Sequence, residues 1–332
     1  MAKRMKSDKK QFREMVADMF VNALEEDPLA FFKGWDFSET GKPVNAHTDV
    51  QYRGVNVLYL KMMEHIKGYG DPRWMSWTQI KQHKDLHLKA GAQGAKVEYW
   101  MPVDNEANKA MTWDAYNRLS YEEKHSIYVD EDGDTKEKYS IKPKYFTVFN
   151  GADIEGLDRY ETPDLYLHQV DPAEVVSTIS DGMQVPIEHV FNSSSAYYSP
   201  VEDIVHLPAP EQFHNNEEYN RTALHELGHA TGHERRLARD QTGSFGSKAY
   251  AYEELVAEIT SCFMSEYVPD PITKEGLDQH KAYVQSWASA IKDNKNYLFK
   301  AIKDAEKASD YMIEKGELTL LKEKNLEQVK CI

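Results

Sequence analysis

The pentapeptide His225-Glu226-Leu227-Gly228-His229 constrains the fold of this chain more than any other feature. Asn215 or Asn216, followed by two acidic residues, is typical of a helix N-cap, so we expect a helix that runs to Gly232. Residues four apart lie on one face of a helix, so both imidazoles can bind one cation, with each nitrogen about 2 Å away. The pentapeptide therefore predicts a mononuclear metal site built on a helix.

A third ligand is expected on the next predicted helix, Ala251–Met264, which is rich in carboxylates. Glu254 is the first candidate, because a carboxylate roughly 25 to 30 residues after the second histidine would complete a His₂Glu site. Glu258 lies one turn later on the same face, where it can accept the second ring N–H of a ligand histidine. Glu253, Glu258 and His233 remain alternative third ligands.

Glu226 projects from the helix at a neighbouring angle, from which it can reach a water molecule without binding the metal. This position predicts a general base for peptide hydrolysis. Histidine and carboxylate donors suit Zn²⁺, and the same set can accept Mn²⁺ or Co²⁺. The strand predicted over Ala196–Leu207 could align an extended peptide, with Tyr198 near the oxyanion.

Length and charge bear on domain organisation and partners. With 332 residues the chain is long for one compact domain, so we expect two. The net charge of −15 is uneven: residues 1–160 hold 24 basic and 26 acidic residues, whereas residues 161–332 hold 16 and 29. The segment from Arg53 to Lys96 has eight basic and three acidic residues, a local charge of +5. The first half can therefore meet an anionic partner although the whole chain is acidic.

The compartment is predicted from what the sequence lacks. Cys262 and Cys331 have neither the number nor the spacing of a disulfide framework or a structural zinc site, so both are expected to be reduced thiols. No run of about 18 apolar residues and no signal-peptide pattern occurs. We expect a cytoplasmic protein with no membrane partner.

The apolar periodicity predicts an α+β fold, with a linker over residues 151–170. The first half has predicted helices at 6–26, 54–66 and 78–87, a short strand or helix entry at 74–77, and strands at 96–100 and 145–149. The second half is predicted to be mostly helical with a small mixed sheet. Its strands are expected at 185–191 and 196–207, and its helices at 216–232, 251–264 and 279–313, the last broken near Asn294.

Several short motifs together match a known family. Those of the first half are Gln51–Leu58, Arg73–Gln79, Leu88–Val97 and Tyr145–Asn150. Those of the second half are Ala196–Pro200, Asp203-Ile204, His225–His233, Arg236–Arg239, Phe245-Gly246 and Ala251–Glu258. In these motifs the chain resembles the ArdC-type antirestriction proteins of plasmids and phages. The resemblance implies an N-terminal domain, residues 1–155, that binds single-stranded DNA, and a zincin-like metallopeptidase domain, residues 156–332.

Two departures from the family pattern stand out. Ala230 follows the second histidine, where the family often has tryptophan, and the loop Leu88–Gly94 lacks two basic residues of the family's version. The loss of these two charges predicts weaker DNA binding at this loop, or DNA binding centred elsewhere on the first half.

The resemblance implies that the basic segment contacts single-stranded DNA, which is held by cationic grooves and stacking aromatic rings. Arg53, Lys89 and Lys96 are the phosphate candidates, and Trp74 and Trp77 are the stacking candidates. The alternative is that the tryptophans are core residues and the lysines only keep a surface soluble.

Three functions fit these observations. The first is an antirestriction protein that binds single-stranded DNA and carries a zinc peptidase site. The second is a metallopeptidase that acts on a host restriction component or another peptide substrate, with the first half as its recruiter. The third is a metal-stabilised binding protein without turnover.

Overall fold

The computed structural model describes residues 2–27, 35, 37, 40–161, 172–243, 247–268 and 274–321. The helices are α1 Ala2–Glu26, α2 Val55–Lys67, α3 Trp77–Ile80, α4 Trp113–Asn117, α5 Tyr121–Lys124, α6 Pro172–Met183, α7 Asn216–Ala230, α8 Lys248–Met264, α9 Lys274–Asp293 and α10 Asn296–Lys315. None of these described helices is long and apolar enough to cross a membrane.

The strands are β1 Val44–Asn45, β2 Val50–Gln51, β3 Arg73–Ser76, β4 His87–Leu88, β5 Ala95–Asp104, β6 Lys109–Ala110, β7 Ile127–Val129, β8 Thr135–Glu137, β9 Tyr139–Asn150, β10 Ile154–Glu155, β11 Ile187–Val190, β12 Tyr197–Ser199 and β13 Ile204–Pro208. The α+β class expected from the sequence is confirmed. Cys331, the Phe245-Gly246 motif and residues 162–170 of the predicted linker lie outside the described residues.

A six-stranded mixed sheet, in the order β2-β1-β3-β9-β5-β6, organises the first half. Strands β1 and β3 run parallel, and β3 pairs with β9 in antiparallel register. Strands β5 and β9 form a long antiparallel ribbon that runs from Ala95 opposite Val148 to Asp104 opposite Tyr139. Both are longer than predicted, because the polar ends of the ribbon lack the apolar pattern that identified its middle.

The prediction of a short helix at 78–87 was only partly right. Its first turn exists as α3, which Ser76 caps by accepting a hydrogen bond from the Gln79 N–H at 3.3 Å. The helix ends at Ile80, and turns follow before β4. The helix predicted at 54–66 is confirmed as α2. It ends at Gly68, whose φ of +65° favours glycine, and the N–H of Tyr69 donates to the carbonyl of Glu64 at 2.9 Å.

The second half has a three-stranded sheet in the order β11-β13-β12. The prediction of a single strand over 196–207 was wrong, since two antiparallel strands, β12 and β13, occupy this range. Pro200 cannot donate to a ladder, and Asp203 adopts a left-handed φ of +59°, so the chain reverses between them. Among the described strands, β12 pairs with β13 alone and is therefore an edge.

The two halves share one hydrophobic core. Phe12 of α1 and Leu58 of α2 are fully buried in the same cluster as Leu255 of α8, Trp287 of α9 and Ile302 of α10. A second cluster, confined to the second half, joins α6, α7 and β13. The division at residues 155 and 156 stays a prediction, but the halves do not have separate cores. The predicted break near Asn294 is confirmed between α9 and α10, and both helices contribute to the shared core.

Leu255→Ala should destabilise both halves together, because this 2% exposed side chain lies in the shared core. We expect a loss of about 2 to 5 kcal/mol in the free energy of unfolding. Denaturant unfolding followed by tryptophan fluorescence measures it, since five of the six tryptophans lie in residues 1–160. Leu320→Ala, at a side chain that is 51% exposed, is the control. A fluorescence transition that stays unchanged in Leu255→Ala would contradict a shared core.

Candidate metal centre

Helix α7 begins where the sequence places its cap. The side chain of Asn215 accepts a hydrogen bond from the Glu218 N–H at 2.8 Å, and the Glu218 carboxylate accepts one from the His214 N–H at 2.9 Å. Ala223, Leu224 and Leu227 are buried in the second cluster. Because these residues fix one face of the helix in the core, His225 and His229 are presented on another.

Close packing of α8 against α7 brings the carboxylates to the histidines. A Cβ added at Gly228 would lie 3.6 Å from the Thr260 side chain and 3.7 Å from the Ala257 Cα, which is contact distance without clash. A side chain larger than alanine at Gly228 would push the helices apart. The small residue inside the pentapeptide thus sets the spacing between the two helices.

Three potential ligands converge between these helices. The Nε2 atoms of His225 and His229 lie 3.1 Å apart, and the Glu254 carboxylate oxygens lie 3.6 Å from the first and 3.4 Å from the second. One donor atom from each residue falls within 4.8 Å of the others. Two imidazoles and one carboxylate are the donor set of a catalytic zinc site, so these residues fit a divalent cation.

The alternative third ligands lie elsewhere around the two rings. Glu258 is 3.6 Å from Nδ1 of His225, and Glu253 is 3.5 Å from Nδ1 of His229. Both carboxylates therefore face the nitrogens that point away from the proposed metal position. His233 accepts a hydrogen bond from the Arg235 N–H through its Nδ1 at 3.2 Å. This geometry favours Glu254 as the ligand and places Glu258 where the sequence predicts an orienting carboxylate.

An arginine after the pentapeptide holds Glu253 in place. Arg239 donates to both Glu253 oxygens, at 3.0 and 2.5 Å, and to the Gly228 carbonyl at 2.9 Å. It also donates to the Thr231 hydroxyl at 2.6 Å, which ties it to the end of α7. Sequence reasoning missed this role, although Arg239 stands in one of the motifs that carry the family resemblance.

Electrostatics at this centre favour positive charge. Burial lowers the pKa of His225, but the nearby carboxylates of Glu258 and Glu254 outweigh it and leave that pKa raised. The pKa of His229 is raised in the same way by Glu253 and Glu254. Burial raises the pKa of Glu254, yet the two histidines lower it overall. A cation that binds here would displace protons from the imidazoles.

Glu226 and the two histidines face a cavity of about 790 Å³. Tyr197, Phe213 and Tyr250 contribute aromatic walls, and Ser193, Ser194 and Ser195 contribute a polar one. Glu226 is 8% exposed and lines the cavity together with both histidines. The cavity is large enough for a few residues of an extended peptide, and it opens beside the carboxylate predicted to act as the base.

Tyr198 also lines this cavity, but its hydroxyl group is already engaged. It donates to Asp203 at 2.7 Å and accepts from Arg236 at 3.0 Å, and Arg236 also pairs with Asp203. Burial and the neighbouring Asp203 raise the pKa of Tyr198. The network ties β12 to the loop that follows α7. The role of Tyr198 near an oxyanion stays a prediction. In this arrangement the Tyr198 hydroxyl donates its hydrogen bond to Asp203.

The two tryptophans of the first half lie in different environments. Trp74 is 0% exposed and belongs to the shared core, so its ring is not available to stack on a base in this structure. Trp77, at the start of α3, is 47% exposed, and the Lys81 ammonium lies 4.8 Å from the centre of its ring. The stacking prediction therefore rests on Trp77. Trp74 and Met75 are both buried in β3, so no alternation along this segment separates the two tryptophans.

The three cationic candidates are dispersed over the first half. Arg53 faces α10, with contacts of 3.3 Å to Glu306 and 2.5 Å to Asp310, although its side chain is 68% exposed. The exposed Lys89 donates to the Ala152 carbonyl at 2.7 Å. Lys96 is partly exposed on β5, opposite Thr147. A phosphate would have to compete with two acids for Arg53, whereas the two lysines have no such acidic contact among the described salt bridges.

Comparisons with known proteins agree with both halves of this description. Residues 10–149 match the model of the N-terminal domain of anti-restriction factor ArdC, and residues 174–304 match that of a zincin-like metallopeptidase. The protein y4eC of Sinorhizobium fredii is 30% identical over 301 residues, which cover 90% of each chain. The chain belongs to the ArdC family of antirestriction proteins.

Solved ArdC structures show the same fold over most of the chain. Crystal structures of ArdC from plasmid R388, one metal-free and one with bound Mn(II), are 29% identical to it, with a TM-score of 0.69. The alignments cover 92% of this chain and 97% of that one. Two Escherichia coli proteins named DNA primase TraC are 33% identical over 315 residues, but the chain spans only 27% and 20% of their lengths.

Arg239→Ala should weaken metal binding, because it leaves Glu253 without its clamp beside His229. Loss of such an orienting interaction typically lowers metal affinity about 10- to 100-fold. Competitive titration of Zn²⁺ against a chromophoric chelator measures the change. Arg235→Ala, at an exposed arginine on the same loop, is the control, and circular dichroism verifies the fold of each variant. Equal affinities of Arg239→Ala and the unchanged protein would show that Arg239 does not position the centre.

Proposed function

We propose that this member of the ArdC family is a metal-dependent peptidase that also binds single-stranded DNA, and that it protects incoming DNA in the bacterial cytoplasm. The convergence of His225, His229 and Glu254 beside Glu226, at the wall of an open cavity, carries the peptidase part of the proposal. The donor set favours Zn²⁺, and Mn²⁺ or Co²⁺ could replace it.

His225, His229 and Glu254 would hold the metal, with Glu253 and Glu258 orienting the two imidazoles from behind. When bound, such a metal polarises a carbonyl group and makes a nearby water molecule more acidic. Glu226 lies on α7 between the two ligands, so its carboxylate can take a proton from water and later deliver it to the leaving amine. A carboxylate in this position carries out both proton transfers.

The edge strand β12 gives a peptide a place to bind. Strand β12 pairs with β13 on one side, and both Tyr197 and Tyr198 line the cavity. An extended substrate could add to its other side through main-chain hydrogen bonds, which would lay the scissile bond along the cavity near Glu226. Recognition through the main chain would make binding tolerant of substrate sequence, with the pocket walls supplying the preference.

Glu226→Gln should abolish proteolysis without loss of metal, because an amide keeps the shape of the carboxylate but cannot accept the proton. Removal of a general base typically slows a reaction about 10²- to 10⁴-fold. Zn²⁺-loaded protein is incubated with a host proteome, and new N-termini are labelled and counted. Glu211→Gln, at an exposed position outside the helix, is the control. If the unchanged protein generates no new N-termini, the peptidase proposal fails.

For the first half, Trp77 with Lys81, together with Lys89 and Lys96, supports binding of single-stranded DNA. An exposed indole with a neighbouring ammonium group combines the stacking and charge that such binding requires. Arg53 is held by Glu306 and Asp310, so we propose that it bridges the two halves rather than contacting phosphate directly.

Trp77→Ala should weaken binding of the full chain to a single-stranded oligonucleotide about fivefold or more, since one base–aromatic stack contributes roughly 1 to 3 kcal/mol. Fluorescence anisotropy with matched single- and double-stranded oligonucleotides measures this. Tyr121→Ala, at an exposed aromatic residue of the same half, is the control. No preference of the unchanged protein for the single strand would refute the DNA-binding proposal, and an unaltered affinity in Trp77→Ala would refute the role of this residue.

A further inference from the structure

A pair of exposed histidines, separate from the centre on α7, lies at one end of the first-half sheet. His47 lies in the loop between β1 and β2, and His83 lies in the turns that follow α3. Nδ1 of His47 is 3.0 Å from Nε2 of His83, and the two rings cross at 83° with their centres 5.2 Å apart. The two nitrogens approach as closely as those of His225 and His229, which lie 3.1 Å apart.

Sheet topology brings these two residues together. Strands β1 and β3 are parallel neighbours, and the segments that carry His47 and His83 leave their carboxyl ends. In sheets with parallel strands, the loops at this end are where ligands commonly bind. The histidines are 36 residues apart in sequence, so the pairing is invisible as a spacing motif.

Hydrogen bonds that do not involve the imidazoles fix both segments. The side-chain amides of Asn45 and Gln79 exchange two hydrogen bonds of 3.2 Å, which join the end of β1 to α3. The Asn45 side-chain oxygen also accepts from the N–H groups of His47 and Thr48, each at 3.1 Å. The backbones that carry the two rings are therefore held in place independently of the contact between the rings.

We propose that His47 and His83 form a second metal site, which takes a divalent ion of the imidazole-binding class such as Zn²⁺. Two ring nitrogens 3.0 Å apart can both bind one ion at about 2.0 to 2.1 Å. Mg²⁺ and Ca²⁺ are disfavoured, because they require oxygen ligands.

The site would be open rather than closed. Among the described residues, no third histidine, cysteine or carboxylate joins the pair, so the other ligand positions face solvent. Both side chains are exposed. With two protein ligands the affinity should be lower than at the centre on α7, so the two binding events are distinguishable in one titration. Metal binding by this pair requires neither peptidase activity nor DNA binding.

Calorimetric titration of the metal-free full chain with Zn²⁺ alone tests the proposal. We expect two bound ions, one tight and one weaker, with only the weaker one lost in His47→Ala and in His83→Ala. His87→Ala is the matched control, because His87 is exposed in the same segment but outside the pair, and it should keep both ions. His225→Ala should lose the tight ion and keep the weaker one.

Three outcomes would overturn the second site. The first is that the unchanged protein binds a single ion. The second is that His47→Ala or His83→Ala still binds two ions. The third is that His87→Ala also loses the weaker ion. Thermal unfolding followed by circular dichroism shows whether each variant keeps its fold. Because the pair is exposed, we expect transitions close to that of the unchanged protein.

Discussion

Three buried glutamates on α8 are the constraint on which this structure depends. Glu253, Glu254 and Glu258 are each at most 6% exposed, and burial of a carboxylate is unfavourable unless it is paired. Two histidines and Arg239 provide the partners, all on or just after α7. The spacing of the two helices, the order of the loop after α7 and the geometry of the proposed metal centre all follow from meeting that requirement.

A neighbouring face of α8 links these glutamates to the core that both halves share. Leu255, Ile259 and Phe263 pack into the cluster that also contains Phe12 and Leu58 of the first half. The helix that supplies the proposed third ligand is therefore part of the core on which the first-half sheet rests. Arg53 adds a polar contact between the halves through Glu306 and Asp310.

Much of the site could be predicted because it is local in sequence. The His225–His229 spacing, the cap at Asn215 and the carboxylates of α8 each depend on residues within one or two helical turns. What could not be predicted depends on tertiary contacts. Periodicity does not reveal that Trp74 is buried while Trp77 is exposed.

The same limit applies to charged residues. The partners of Arg53 are more than 250 residues away in the sequence, and the clamp from Arg239 to Glu253 requires the packing of α8 against α7. The prediction of one strand over residues 196–207 was wrong, because the alternation of apolar and polar residues there fits one strand as well as two. Only the left-handed backbone at Asp203 and the proline at Pro200 separate β12 from β13.

The shared core bears on how such a chain can be inherited. The chain spans 27% of one TraC relative and 20% of the other, so a similar unit occurs inside longer proteins. A recombination event that separated its halves would expose the apolar faces of α1, α2 and α8 to water. The shared core therefore favours transfer of both halves together when such a gene moves between genomes.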